Sequence, residues 1–187
     1  MRYKDEQEIL ALIRNDNPDG VKCLFDLYYK PLCVFAMNFT DSFEESEDIV
    51  QELFVRFWEK YRGKVFEGSL RAYLFSSVQH NCIKSLKSKT HSRFPVIPEI
   101  CAEESSYREE ELEIQCQKLY AEIARLPEQC RKVFELIVLE DMRYKEVALS
   151  LNLSVNTVKT HFARALKQLR SSIQILLFVL LRNRGVL

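Results

Sequence analysis

What this 187-residue chain lacks is punctuation: it holds only 4 glycines and 5 prolines, with long uninterrupted stretches between them. So few breakers, with apolar residues recurring every three and four positions, predict an all-α protein and leave no strand-like alternation to compete. Paired cysteines are lacking too. Cys23, Cys33, Cys82, Cys101, Cys116 and Cys130 are scattered with no CxxC, which speaks against a disulfide framework. Neither His80 with Cys82 nor His91 near Cys101 gives the spacing of a four-ligand zinc site, so no metal and no cofactor is expected. The apolar run over residues 173–181 contains a Gln and is far shorter than the roughly 20 residues a bilayer crossing needs. It reads as a buried terminal helix. The N-terminal MRYKDEQEIL is charged where a signal peptide would be apolar, and the expected compartment is the reducing cytoplasm. Chemistry-bearing clusters are sparse: the acids Glu44, Glu45, Glu47 and Asp48 have no convergent His partners and no Gly-rich phosphate loop. No catalytic residue and no small-molecule substrate is therefore expected.

What is present is apolar mass and segregated charge. A hydrophobic content of 47% suffices for one medium core or two small ones. The formal net charge is zero, yet residues 1–61 carry −6, residues 62–94 carry +6, residues 95–114 carry −6 and residues 115–187 carry +6. Two basic blocks alternate with two acidic ones. Such segregation favours separate surfaces for separate partners, and the basic blocks suit nucleic acid.

Two small helical domains joined by a linker account for the pattern: residues 1–90, a linker over 91–114, and residues 115–187. In the first, Asn17-Pro18 suits a cap followed by the first helical position, opening a helix to about Phe39 that buries Val21, Leu24, Phe25, Tyr28 and Leu32. A second helix over about 44–61 carries Ile49, Leu53, Phe57 and Tyr61 at four-residue spacing, with Phe54 and Trp58 beside them. A connector containing Gly63 and Gly68 leads to a third helix over about 69–87, with Leu70, Tyr73, Leu74, Val78 and Ile83 available for burial. The linker region has two prolines, serines and an acidic run. Beyond it, helices are expected from about Glu110 to Arg125 and from Leu126 to Leu139, followed by two shorter ones.

Those two shorter helices, residues 144–169, have the layout of a helix-turn-helix. The first buries Val147, Ala148 and Leu151; the second buries Val158, Phe162, Ala165 and Leu169. Ala148 is small where steeply crossing helices approach closely. Asn152 falls where the turn calls for left-handed backbone, which Asn tolerates better than other side chains. Ser154 is placed to cap the second helix by accepting from the amide of Asn156 or Thr157. Ser154, Asn156, Thr157, Lys159, Thr160, His161 and Arg164 are then the candidate DNA contacts, amides and hydroxyls reading base edges and cations clamping phosphate or guanine.

At this point the residues resemble a known family. LPEQCRKVFEL, YKEVALSL and SVNTVKTHFARALKQL, within residues 126–169, are similar to the fourth region of the sigma-70 family, especially its extracytoplasmic-function (ECF) group. That region implies recognition of the −35 promoter element. The stretch TVKTH, with His161 where the family often has Arg and Asn152 where it often has Gly, also resembles the output domain of LuxR-type regulators, which bind duplex DNA without acting as polymerase subunits. DIVQELFVRFWEKY, residues 48–61, separates the two. It resembles the second sigma region, where an acidic and aromatic helix docks on core RNA polymerase, and assigns Asp48, Gln51, Glu52, Phe54 and Trp58 to that contact. Residues 65–89 resemble the segment that recognises and melts the −10 element, which implies roles for Arg62, Lys64, Asn81, Lys84 and Lys87, the connector forming the lip of a base-capturing pocket. The Asp and Arg that the family often places after Asn81 are absent here. The resemblance thus implies a minimal sigma factor with core RNA polymerase and promoter DNA as partners, together with an anti-sigma factor, often membrane-borne.

Overall fold

The computed structural model describes residues 5–40, 42–89 and 109–183, the side chains of 87–89, 109–112, 178, 182 and 183 excepted. Among the described residues there are nine α-helices, one 3-10 turn and no strand. They fall into two compact units, one carrying the first four helices and the other carrying the next four and the last helix as far as Leu180. Residues 90–108, most of the expected linker, lie outside the described residues, as does Cys101.

The first unit begins with a helix that sequence reading left unassigned. α1 (Glu6–Arg14) starts at Asp5, whose carboxylate accepts from Gln7 N, and buries Ile9 and Ile13, four residues apart. Asp5 ahead of that apolar pair was the available signal. α2 (Asp19–Ala36) starts as the sequence suggests: Asn17 Oδ1 accepts from Asp19 N at 2.9 Å, and Pro18 already has helical dihedrals (φ −58°, ψ −24°). Leu24, Tyr28 and Leu32 are fully buried, whereas Phe25, expected in the core, is 39% exposed and stacks on Tyr29 at 4.2 Å. α3 (Phe43–Tyr61) is capped by Ser42, and α4 (Leu70–Lys89) buries Leu70, Leu74, Val78 and Cys82. The buried position in the last turns of α4 is thus Cys82 and not the expected Ile83, which is half-buried. Cys82 lies four residues after Val78 and so continues its stripe. Each fully buried Leu or Phe contributes about 1.5–3 kcal/mol of transfer free energy, so this bundle is held chiefly by its apolar seam. One buried carboxylate, Glu47, accepts from the Tyr29 hydroxyl, and burial foremost drives the Tyr29 pKa up.

The second unit contains α5 (Glu109–Ala124), α6 (Glu128–Val138), α7 (Tyr144–Leu151), α8 (Val155–Gln168) and most of α9 (Ile173–Asn183). α6 buries Cys130, Val133, Phe134 and Ile137 at helical spacing, with Phe134 and Phe162 of α8 separated by 6.2 Å between ring centroids. Glu146 accepts from the amide of Arg143 at 2.7 Å and secures the start of α7. Ser172 donates to Glu122 at 2.6 Å and ties the turn before α9 to α5. Ile173, Leu176, Leu177 and Leu180 of α9 are buried. Among the described residues no helix is long and apolar enough to cross a membrane.

Candidate nucleic-acid interface

In the second unit the turn between α7 and α8 has the geometry its sequence calls for. Asn152 is left-handed (φ 53°, ψ 47°), and Leu153 N donates to Ala148 O at 2.9 Å, closing the end of α7. Ser154 Oγ accepts from Thr157 N at 3.0 Å, and its hydroxyl lies 2.8 Å from that of Thr157. Val158, Phe162, Ala165 and Leu166 face inward. The remaining surface of α8 is divided. Asn156, Thr160 and Arg164 are exposed at four-residue spacing and form one stripe, which Lys167 continues. Lys159, half-buried on one flank, holds its ammonium 6.0 Å from the Tyr144 ring. His161, half-buried on the other, has Nδ1 3.6 Å from the buried Cys130 thiol. A groove of about 400 Å³ runs between the start of α6 and the second half of α8, with His161, Arg164 and Lys167 among its lining residues. Lys167 was missed by sequence reading; its position three residues after Arg164 was the signal.

In the first unit, α3 presents Asp48, Gln51, Glu52 and Glu59 to solvent. Glu52 pairs with Arg56 at 2.5 Å, both side chains more than half exposed, a contact worth well under about 1 kcal/mol. Phe54 does not share this surface: it is 3% exposed and its ring lies 5.6 Å from that of Phe25. At 100° per residue, Phe54 lies across the helix from Asp48 and Glu52. Val55, 57% exposed, takes the apolar place on that face, and Trp58 is half-buried at its edge.

The connector over residues 62–69 is where tertiary structure gathers most. Gly63 (φ 72°) and Gly68 (φ 101°) adopt left-handed conformations that side chains resist, and between them Phe66 meets rings from both flanking helices. Its centroid lies 5.6 Å from Phe57, 5.0 Å from Tyr61 and 5.5 Å from Tyr73, mostly edge to face. Lys60 Nζ stands 4.9 Å from the Tyr61 ring and 5.6 Å from that of Tyr73. Hydrogen bonding to Tyr61, and next the charge of Tyr73, hold the Lys60 pKa above its ordinary value. Arg62 and Lys64 are exposed at the rim. Asn81 and Lys84 do not join this cluster, because they follow Tyr73 by about 12 and 16 Å along α4 at 1.5 Å per residue. Asn81 is half-buried, Lys84 is exposed, and the Lys87 side chain lies outside the described set. Phe66 and Lys60 had not been singled out from sequence. Among the described residues no cluster of three or more His, Cys, Asp or Glu is arranged to hold a metal.

All three surfaces fall inside segments shared with characterised proteins. The sigma-70 region 2 model matches residues 24–92, and the sigma-70 region 4 model matches residues 116–169, together about two thirds of the chain. The chain belongs to the sigma-70 family. Among its relatives, the ECF RNA polymerase sigma factor SigX of Bacillus subtilis is 26% identical over 163 residues, covering 82% of this chain and 83% of SigX. SigG of Mycobacterium tuberculosis, also an ECF RNA polymerase sigma factor, is 29% identical over 68 residues, 36% of this chain and only 18% of SigG. The solved structure of CnrH in complex with the cytosolic domain of CnrY is 22% identical, covers 89% of this chain and 95% of that one, and gives a TM-score of 0.39. In this sigma-70-family chain, the aromatic connector and the α3 face belong to the region 2 match, and the α7–α8 turn belongs to the region 4 match.

Proposed function

We propose that the protein is a sigma factor: it binds core RNA polymerase through the exposed face of α3, reads a −35 duplex with α8 and melts the −10 element at the connector. Catalysis then resides in the polymerase. The observation that carries this reading is the joint presence of regions 2 and 4, since the helix-turn-helix alone would equally suit a LuxR-like regulator. The chemistry of each surface supports its part. Asn156, Thr160 and Arg164 offer amide, hydroxyl and guanidinium groups along one stripe, a set that reads base edges and clamps phosphate in a major groove. Phe66, Tyr61 and Tyr73 with the Lys60 ammonium form a stacking surface with a cationic rim, as capture of an unpaired base requires. Glu52, Asp48 and Val55 combine acidic groups with an apolar centre and suit a basic, partly apolar docking surface.

An anti-sigma factor completes the proposed partner set, as membership of the family implies, and the cytoplasm is the compartment in which all of these partners meet. Run-off transcription with core polymerase on genomic fragments tests the reading. Transcripts with defined starts are expected. Absence of association with core polymerase in a pulldown would overturn it.

A further inference from the structure

α1 ends before the family match begins at residue 24, yet it accepts a connector amide, that of Gly63, where the chain leaves α3. Past the end of α3, Arg62 N donates to Trp58 O at 2.9 Å and Lys64 N to Tyr61 O at 3.0 Å. The extended ψ of Arg62 (130°) turns the Gly63 N–H away from α3, and it donates to Ile13 O, in the last turn of α1, at 3.2 Å. A helix C-terminus suits this role, because its last carbonyls lack partners four residues on in the helix and carry the negative end of its dipole. Ile13 O accepts from Asp16 N at 3.1 Å in the closing turn and has a second lone pair for Gly63.

The acceptor is itself fixed. Ile13 is 1% exposed, and Gly20 lets α1 lie close: a Cβ on Gly20 would meet Ile13 Cγ1 at 2.7 Å and Ile13 N at 2.9 Å. The far end of α1 is secured independently, by Glu6 accepting from the hydroxyl of the fully buried Tyr28. Ile9, midway, is 1% exposed. A helix secured at both ends therefore delivers one carbonyl to the turn that precedes Phe66 by three residues.

We propose that α1 is a strap that positions the connector, with the Ile13 carbonyl fixing Gly63 so that Phe66 is held against Tyr61 and Tyr73 before a base arrives. The inference rests on the connector's role in capturing an unpaired base, and adds to it an element that lies outside the residues matched as region 2. Ile13 and Gly63 are positioning residues; neither touches the nucleic acid.

The test uses the full-length protein with Ile13→Ala, and with Tyr28→Phe as a second variant that loosens the other end of α1 without emptying the core. Three quantities are read: hydrogen exchange at the Gly63 amide, affinity for core polymerase, and the rate of promoter opening followed by a fluorescent base in the −10 element. With one exposed hydrogen bond weakened, Gly63 exchange should rise and opening should slow, each about two- to tenfold, while polymerase affinity stays within about twofold. Unchanged opening in a variant whose Gly63 exchange has risen would overturn the strap. So would unchanged Gly63 exchange. Should Ile13→Ala unfold the unit, Tyr28→Phe decides by the same readings. A wild-type protein that binds no polymerase is the separate outcome that overturns the sigma reading.

Discussion

The recognition helix α8 and the connector between α3 and α4 are built in different ways for their proposed tasks. On α8 the contact groups occupy a single stripe of a regular helix, and Asn156, Thr160 and Arg164 follow one another by periodicity alone. At the connector the groups come from three elements: Phe57, Lys60 and Tyr61 from α3, Phe66 from the loop and Tyr73 from α4. Rigid helical display suits the reading of a duplex whose shape is given in advance. A cluster that closes around a loop suits a base that must first leave its stack, because stacking partners have to be offered from more than one side.

That contrast predicts separable failures. The largest effect is expected from Asn156→Ala combined with Arg164→Ala, which removes two exposed readers: affinity for a −35 duplex should fall about 100-fold, at about 1–3 kcal/mol for each contact. Fluorescence anisotropy with labelled duplex measures it, and polymerase affinity should not move. A loss of promoter opening with duplex binding intact would show that α8 and the connector are not separate. Phe66→Ala should do the reverse, slowing opening about tenfold through loss of one stacking surface and leaving −35 binding unchanged. Potassium permanganate footprinting of the −10 strand would reveal it, and equal losses in both assays would break the comparison from the other side.

Smaller effects test the frame that displays α8. Asn152→Ala places a β-carbon without a polar partner in left-handed backbone and should cost about 1 kcal/mol, whereas Asn152→Gly should be neutral or slightly stabilising. Thermal melts of the two variants make the comparison, and equal melting temperatures would show that the turn conformation carries no strain. The smallest effect lies in the first unit. Burial, and next the Glu45 carboxylate, push the Cys82 thiol from its ordinary value of 9.0 up to about 12. The unfolded chain therefore releases this proton first, so its contribution to stability is complete below about pH 9 and is lost as pH rises toward 12. A decline of up to about 1 kcal/mol between pH 8 and 9.5 is expected from urea midpoints. A stability that rises over that interval would contradict the buried thiol.

Much of this architecture could be read from residues alone, wherever a local rule decides. Asn17-Pro18 opens α2, Ser154 caps α8, and Asn152 supplies the left-handed turn, because each depends on backbone groups within a few residues. Burial in α8 was legible too, since Val158, Phe162, Ala165 and Leu169 fall on one side of a helix whose ends were already marked. Where two faces compete, periodicity misled. Phe54 was expected on the polar face of α3 and Phe25 in the core, but Phe54 is buried and Phe25 lies part-exposed above it. An aromatic residue between two stripes is claimed by whichever neighbour packs on it, and that neighbour is distant in sequence. α1 was passed over for a related reason: a short helix gains little stability by itself and persists by docking Ile9 and Ile13.

By itself the sequence determined the helical class, the helix-turn-helix with its cap and turn, and the alternation of acidic and basic segments. These follow from spacing, capping chemistry and charge, which act over a few residues. Only the tertiary structure decided that Phe66, Tyr61, Tyr73 and Lys60 share one surface, that Val55 and not Phe54 faces outward on α3, and that the carbonyl of Ile13 receives the amide of Gly63. Each of these joins residues that no helical period relates, through contacts that exist only once the apolar faces of separate helices have closed on one another.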